Sequence, residues 1–330
     1  MPVRSNFRLV ARLVLALSLL TVRSSRAQTM STTPEAAYDN GDVWNARTLS
    51  MGGALAALGV STPSLFLNPA NMPFARVYDL EALGGLTPEA GRATAGLAIV
   101  DSSLNKFHLA GGIGGAWSQM DPGGARRTWT DVRAALALPF GDNFAIGATG
   151  RWLQVEQAIS SGPFGQSYVS DGTPSSSIVN AITVDLGATV ALADALRVGA
   201  VGRNLTVPGT ALAPTSGQLG IGYGPKDVAV EVDGMMDFTT YSKPRGRLML
   251  GGEVFVADHF PIRAGWRYDD GTRVHAASLG TGYVETAWSA ELGVRRDLMS
   301  DHGSTVLVLS LRYFFDAVGN GAPADAVDAF

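Results

Sequence analysis

From Tyr78 to Phe315 the chain repeats one pattern: segments of eight to fifteen residues in which apolar side chains keep one parity while polar residues and glycines keep the other. A period of two over that length marks a β-strand with one face in an apolar environment. Fourteen such segments are read, starting near Tyr78, Arg92, Lys106, Thr130, Asn143, Ile178, Ala195, Ser216, Asp227, Pro244, Phe260, His275, Glu285 and Gly303. The connections alternate strictly between short ones (101–105, 141–142, 193–194, 225–226, 257–259, 283–284) and longer ones (87–91, 119–129, 156–177, 204–215, 237–243, 270–274, 296–302). An even strand count with short turns at one end and loops at the other predicts an all-β fold, a 14-stranded antiparallel transmembrane β-barrel. Hydrocarbon offers backbone groups no partners, so such a sheet must close and leave no edge.

Charge follows the same parity. In the last strand Leu307, Leu309, Leu311 and Tyr313 share one face and Arg312 the other; Trp288, Ala290, Leu292 and Val294 oppose Glu291 and Arg295; Ile262, Ala264, Trp266 and Tyr268 oppose Arg263 and Arg267. The same exercise turns Arg133, Arg151, Asp185, Arg197, Arg203, Glu231, Asp233, Arg247 and Glu253 inward. An arginine on the lipid side at the bilayer midplane would cost about 2–4 kcal/mol, so these charges belong to a lumen, where pairing with one another is their expected role. Trp152, Trp266, Trp288, Tyr268 and Tyr313 fall on the outward parity near strand ends, the place of interfacial aromatic girdles. A ring of fourteen strands is wider than its own side chains can fill, so something else must occupy or gate it.

The first residues read as an address. Arg4, Arg8 and Arg12 precede an apolar stretch at 13–20, and Ser25 and Ala27 stand at the third-last and last positions before Gln28. That is the layout of a secretory signal peptide, with cleavage expected after Ala27. Five of the chain's 25 basic residues would leave with it, so the exported chain would carry 20 basic against 29 acidic groups. The apolar stretch is too short to span a bilayer as a helix. With no basic cluster, nothing points to nucleic acid as a partner. The absence of cysteine excludes a disulfide scaffold and a thiolate metal site.

Between the signal and the first strand, residues 28–77 form no strand set but hold the most distinctive local sequence. Arg47, Met51, Gly52, Gly53 and Ala54 are followed, twenty-one residues after the arginine, by Asn68, Pro69 and Ala70. Glycine pairs allow tight turns and Pro69 fixes one dihedral, so a compact irregular segment fits a confined space. These two elements resemble the amino-terminal signature of the FadL-like superfamily of outer-membrane β-barrels, which spans long-chain fatty acid and hydrocarbon transporters and the PorV-like proteins of type IX secretion. The resemblance implies a 14-stranded barrel (78–315) whose amino-terminal segment (28–77) folds into the lumen as a plug, with Met51, Gly52, Gly53, Asn68, Pro69 and Ala70 at its turns. It implies location in the bacterial outer membrane and a hydrophobic small molecule as ligand. Outer-membrane lipid is then a partner, as is the barrel-assembly machinery, which is expected to read the strand-terminal aromatic Phe315. Residues 316–330 would form a periplasmic tail.

Within the third strand, Gly111, Gly112, Gly114 and Gly115 weaken pairing on paper and suggest a bulge or kink. In FadL-like transporters a kinked wall strand gives apolar substrate a lateral exit, and this strand holds the corresponding place. Inward arginines could also engage a substrate carboxylate. Three functions are carried forward: passive transport of a hydrophobic small molecule, PorV-like binding of a secreted protein, and a structural barrel or diffusion pore. Catalysis is not expected. His108, His259, His275 and His302 are scattered without ligand spacing, so no metal and no cofactor are called for. The nucleophile-elbow, phosphate-loop and dinucleotide fingerprints are missing. Asp269, Asp270 and His275 read as a polar loop.

Overall fold

The computed structural model describes residues 45–103, 109–120, 127–157, 176–206, 212–298 and 303–315. The expected signal peptide and tail, His108 and His302 lie outside the described residues.

Fourteen strands are present: β1 Tyr78–Thr87, β2 Arg92–Asp101, β3 Ala110–Met120, β4 Arg127–Phe140, β5 Phe144–Gln157, β6 Ser176–Ala193, β7 Leu196–Arg203, β8 Ser216–Tyr223, β9 Val228–Asp237, β10 Arg245–Val256, β11 Phe260–Asp269, β12 Val274–Val284, β13 Trp288–Asp297 and β14 Thr305–Phe314. Each pairs antiparallel with its neighbours in sequence, and β1 pairs with β14 from Asp79 opposite Phe314 to Leu86 opposite Leu307. That last pairing closes the barrel and removes the edges an open sheet would expose.

Burial alternates along the strands as the parity requires. In β9 Val228, Val230, Val232 and Met236 face out while Ala229, Glu231, Asp233 and Met235 are buried; in β14 Leu309, Leu311 and Tyr313 face out against Ser310 and Arg312. The exterior is a continuous apolar band that includes Leu97, Ile113, Leu136, Ile182, Leu219 and Leu279. A soluble protein could not carry such a surface without aggregating; a barrel in lipid requires it.

Aromatic groups stand near both rims. At the short-turn end Tyr283 packs on Phe260 and Trp288, and Phe315 stacks on Tyr78 with ring centroids 4.5 Å apart. Toward the other end Tyr268 and Trp266 pack on His275, and the Trp152 indole donates to Asn180 Oδ1 at 2.9 Å. Rings of this kind sit at the bilayer interface.

Two sequence expectations need correction. Connection length does not alternate strictly: β1–β2 and β11–β12, expected to be long, are joined by 88–91 and 270–273, whereas β2–β3, expected to be short, is joined by 102–109. In β1–β2 and β11–β12 pairing continues to Thr87 opposite Arg92 and to Asp269 opposite Val274, past the end of the lipid-facing pattern, whereas β3 runs only from Ala110, later than the alternation from Lys106 suggests. Second, the β3 glycines produce no bulge. Register runs unbroken on both edges of β3, from Ala93 opposite Gln119 to Asp101 opposite Gly111 and from Ala110 opposite Ala137 to Met120 opposite Arg127. The shifts lie instead at Val155/Glu156 and Ala191/Ala193.

Candidate functional site

Residues 45–77 hold little regular structure, yet nearly all are buried, and they contact strands on every side of the ring; the segment therefore lies within the barrel. It begins with helix α1, Ala46–Ser50, whose N-cap Asn45 accepts from Thr48 N at 2.8 Å. Gly52 and Gly53 then take positive φ values of 67° and 90° and donate to Leu49 O and Thr48 O, ending the helix as left-handed glycines do. A Cβ at Gly52 would stand 2.9 Å from Leu250 O and from Trp266 N and O, so the turn is pressed against β10 and β11.

The stretch that follows cannot pair its backbone with itself, and the wall supplies the partners. Asp233 Oδ2 accepts Leu55 N at 3.1 Å and Ala56 N at 3.0 Å, and Glu231 accepts Ala57 N at 2.6 Å and Leu58 N at 2.9 Å. Four consecutive N–H groups thus end on two carboxylates of β9, where each would otherwise carry the cost of burial without a partner. Asn68 Nδ2 donates to Ala56 O at 2.7 Å and to Thr189 Oγ1 at 3.0 Å, while its Oδ1 accepts Ala70 N at 3.1 Å. Asn71 Nδ2 donates to the same Ala56 O at 2.9 Å, and Thr189 donates to Asn71 Oδ1 at 2.6 Å. Pro69 opens a 3-10 turn, Pro69–Phe74, capped by Asn68. A second short helix, α2 (Thr62–Phe66), lies between the two motifs.

Charged groups on the wall complete the docking. Arg47 of α1 reaches Glu253 through Nη2 at 2.8 Å and Nε at 3.2 Å. Glu253 also accepts from Arg263, which bonds Glu291, which meets Arg312 at 3.2 Å; Arg312 lies 3.8 Å from Glu81. Ser61 and Thr62 donate their hydroxyls to Asp79 and Glu81. Across the ring Arg133 and Arg151 share Asp131, at 2.9 and 2.7 Å, while Arg133 Nη1 also donates to Phe66 O at 2.8 Å and Arg203 to Leu67 O at 3.3 Å. Arg247 pairs with Asp269 at 2.8 Å, and Arg267 and Arg295 are buried on the inward face. Paired and desolvated, these charges specify one position for the segment more than they stabilise the fold.

Sequence reasoning missed the sockets. Glycines on the inward parity of several strands lie where the segment approaches most closely: a Cβ at Gly199 would stand 2.0 Å from Ala56 O, at Gly187 2.0 Å from Asn68 Oδ1, at Gly147 2.6 Å from Ala70 N, at Gly265 2.2 Å from Gly52 N, and at Gly280 1.8 Å from Ser50 Oγ. The β3 glycines divide in the same way. Gly112 and Gly114 face inward and receive Leu65, whose methyl carbon lies 2.8 Å from a Cβ placed at Gly114, whereas Gly111 and Gly115 face the wall's exterior. The signal was present as glycine on the polar parity; its meaning needed the partner segment.

A cavity of about 370 Å³ lies where the segment meets the short-turn end of the wall. Leu58, Val60, Phe74 and Arg47 line it from the segment, and Arg197, Ala229, Glu253, Phe255 and the turns around Asp194 and Lys226 line it from the barrel. At the opposite rim Asp269 and Asp270 are paired with Arg247 and Arg245, and His275 lies on the outer face against Tyr268, so these three form no joint site. Among the described residues no group of three or more His, Asp or Glu is placed to hold a metal ion.

No protein-family model and no curated protein sequence matches the chain. Solved structures do. The CymD monoaromatic hydrocarbon channel aligns with a TM-score of 0.64 at 14% identity, over 84% of this chain and 99% of its own. The toluene transporter TbuX of Ralstonia pickettii aligns at 0.61 and 13%, over 83% and 99%, and a FadL homologue of Pseudomonas aeruginosa at 0.58 and 14%, over 82% and 98%. The architecture is thus a closed 14-stranded transmembrane barrel with residues 45–77 inside. In particular, it is the FadL-like barrel fold.

Proposed function

We propose that this chain is an outer-membrane channel for the passive transport of hydrophobic small molecules, with residues 28–77 acting as its plug after a signal peptide is cleaved behind Ala27. The observation that carries the reading is the filled lumen. Glu231, Asp233, Glu253 and the inward glycines hold residues 45–77 against the wall, and a partly apolar cavity lies beside them. Such an interior suits a solute that trades water for apolar walls and does not suit bulk diffusion of hydrophilic solutes. Barrels of the same fold are described as a monoaromatic hydrocarbon channel and a toluene transporter, which supports the solute class.

The test is native mass spectrometry of the chain extracted gently from its own outer membrane. A co-purifying hydrocarbon or fatty acid is the expected result. A stoichiometric protein partner with no small molecule would contradict the reading and favour a role in protein secretion.

A further inference from the structure

We propose that the cavity at the short-turn end is a binding site for a small amphipathic carboxylate, one with an aromatic or short apolar body. The proposal does not depend on transport. Arg197 of β7 is half-buried in the cavity wall, with its guanidinium 4.8 Å above the centroid of the Phe74 ring. Among the described residues it has no hydrogen-bond or ion-pair partner, unlike the other cation nearby, Arg47, which is committed to Glu253. Of the neighbouring acids, Glu231 is occupied by Ala57 N and Leu58 N and Glu253 by Arg47, so neither is hydrogen-bonded to Arg197, and the exposed Lys226 and Asp194 stand at the cavity's turn side. A guanidinium in this setting gains most from a planar carboxylate, which accepts two of its N–H groups at once.

Beside the charge, Leu58, Val60, Phe74 and Phe255 offer apolar surface for the rest of the ligand. A volume of about 370 Å³ lies at the low end of the range for ligand pockets and fits a single ring with a short chain. Such a ligand would touch Arg197 on the wall and Leu58, Val60 and Phe74 on the inner segment together, and so would brace one against the other.

The probe is 4-phenylbutyrate, titrated calorimetrically into the full chain folded in detergent micelles, with the neutral 4-phenylbutyramide as comparator for partition into micelles. Saturable binding of the carboxylate at one site is expected, weakened at least about tenfold both in Arg197→Gln and on changing to the amide. Lys226→Glu, on the exposed turn between β8 and β9, is the second variant; it should weaken the carboxylate and leave the amide unchanged. Absence of saturable binding to the folded wild type, equal binding of acid and amide, or an Arg197→Gln variant that binds as tightly would overturn the proposal. Binding is read in micelles, where nothing is transported, so a failure here is distinct from a failure of the transport reading.

Discussion

The side-chain amide of Asn68 donates to the main-chain carbonyl of Ala56 at 2.7 Å and ties the Asn-Pro-Ala turn to the stretch that follows the Met-Gly-Gly turn. Ala56 N is held in turn by Asp233 on the wall, so one residue joins both motifs to the barrel. Neither helix nor sheet supplies these partners. The segment keeps its shape because side chains answer its backbone, and this makes particular residues decisive.

Replacing Asn68 by alanine removes two donors and the cap on Ala70 N, all in a buried setting. The expected loss is about 2–4 kcal/mol in docking of the segment. Limited proteolysis of the folded barrel should cut within the segment in Asn68→Ala but not in the wild type, while the wall stays resistant. Equal resistance would contradict the role given to Asn68.

The double variant Glu231→Ala with Asp233→Ala leaves four buried N–H groups from Leu55 to Leu58 without acceptors, at about 1–3 kcal/mol each. The wall itself needs neither carboxylate, since strand pairing is main-chain. Planar-bilayer recordings should show large conductance steps in the double variant and none in the wild type. A silent double variant would mean that the segment is held by other contacts.

Glycines of β3 offer a paired test. A valine at Gly114 would run into Leu65 and Ala98, with its Cβ already 2.8–2.9 Å from them, whereas at Gly111 the nearest atom is the flexible end of Leu136 at 3.3 Å on the lipid side. Gly114→Val should lower the denaturation midpoint of the folded barrel and Gly111→Val should leave it nearly unchanged. Equal effects would remove the socket interpretation.

These glycines also show where the sequence stops being legible. The fourteen strands could be read because lipid on one side and charge on the other impose strict alternation, as in Leu307 to Tyr313, and parity alone put Glu231, Glu253, Arg263 and Arg312 on the inner face. Parity also marks Gly114 and Gly199 as inward, yet a missing side chain does not announce what fills its place. The role of Gly199 depends on Ala56, far away in the chain. Partners of the inner charges were equally hidden, since Glu253 bridges Arg47 and Arg263 across different elements. Connection lengths failed for another reason: strand ends read from lipid-facing alternation do not coincide with the ends of pairing, which runs further in β1–β2 and β11–β12 and starts later in β3.

At the loop end, Glu89 accepts from Thr305 N at 2.9 Å and Thr305 Oγ1 at 2.8 Å and pairs with Arg296 at 2.5 Å, clasping the β1–β2 loop to β14. Burial pushes its carboxyl up, but the Thr305 hydrogen bonds and Arg296 outweigh this and hold it below the usual glutamate range. A lowered folded-state value means the clasp contributes fully above the unfolded glutamate pKa and loses its contribution as pH falls through the folded one. The Glu89 side-chain carbonyl signal in NMR should titrate below an ordinary glutamate and move upward in Arg296→Gln. A midpoint at or above the ordinary value would contradict the clasp.

The central claim is that a barrel filled by its own amino-terminal segment passes hydrophobic and not hydrophilic solutes. The direct measurement is uptake of radiolabelled toluene and of a small sugar by cells that lack other hydrocarbon channels and express this chain. Faster toluene uptake with unchanged sugar permeation is the predicted result; faster sugar permeation with unchanged toluene uptake would contradict it.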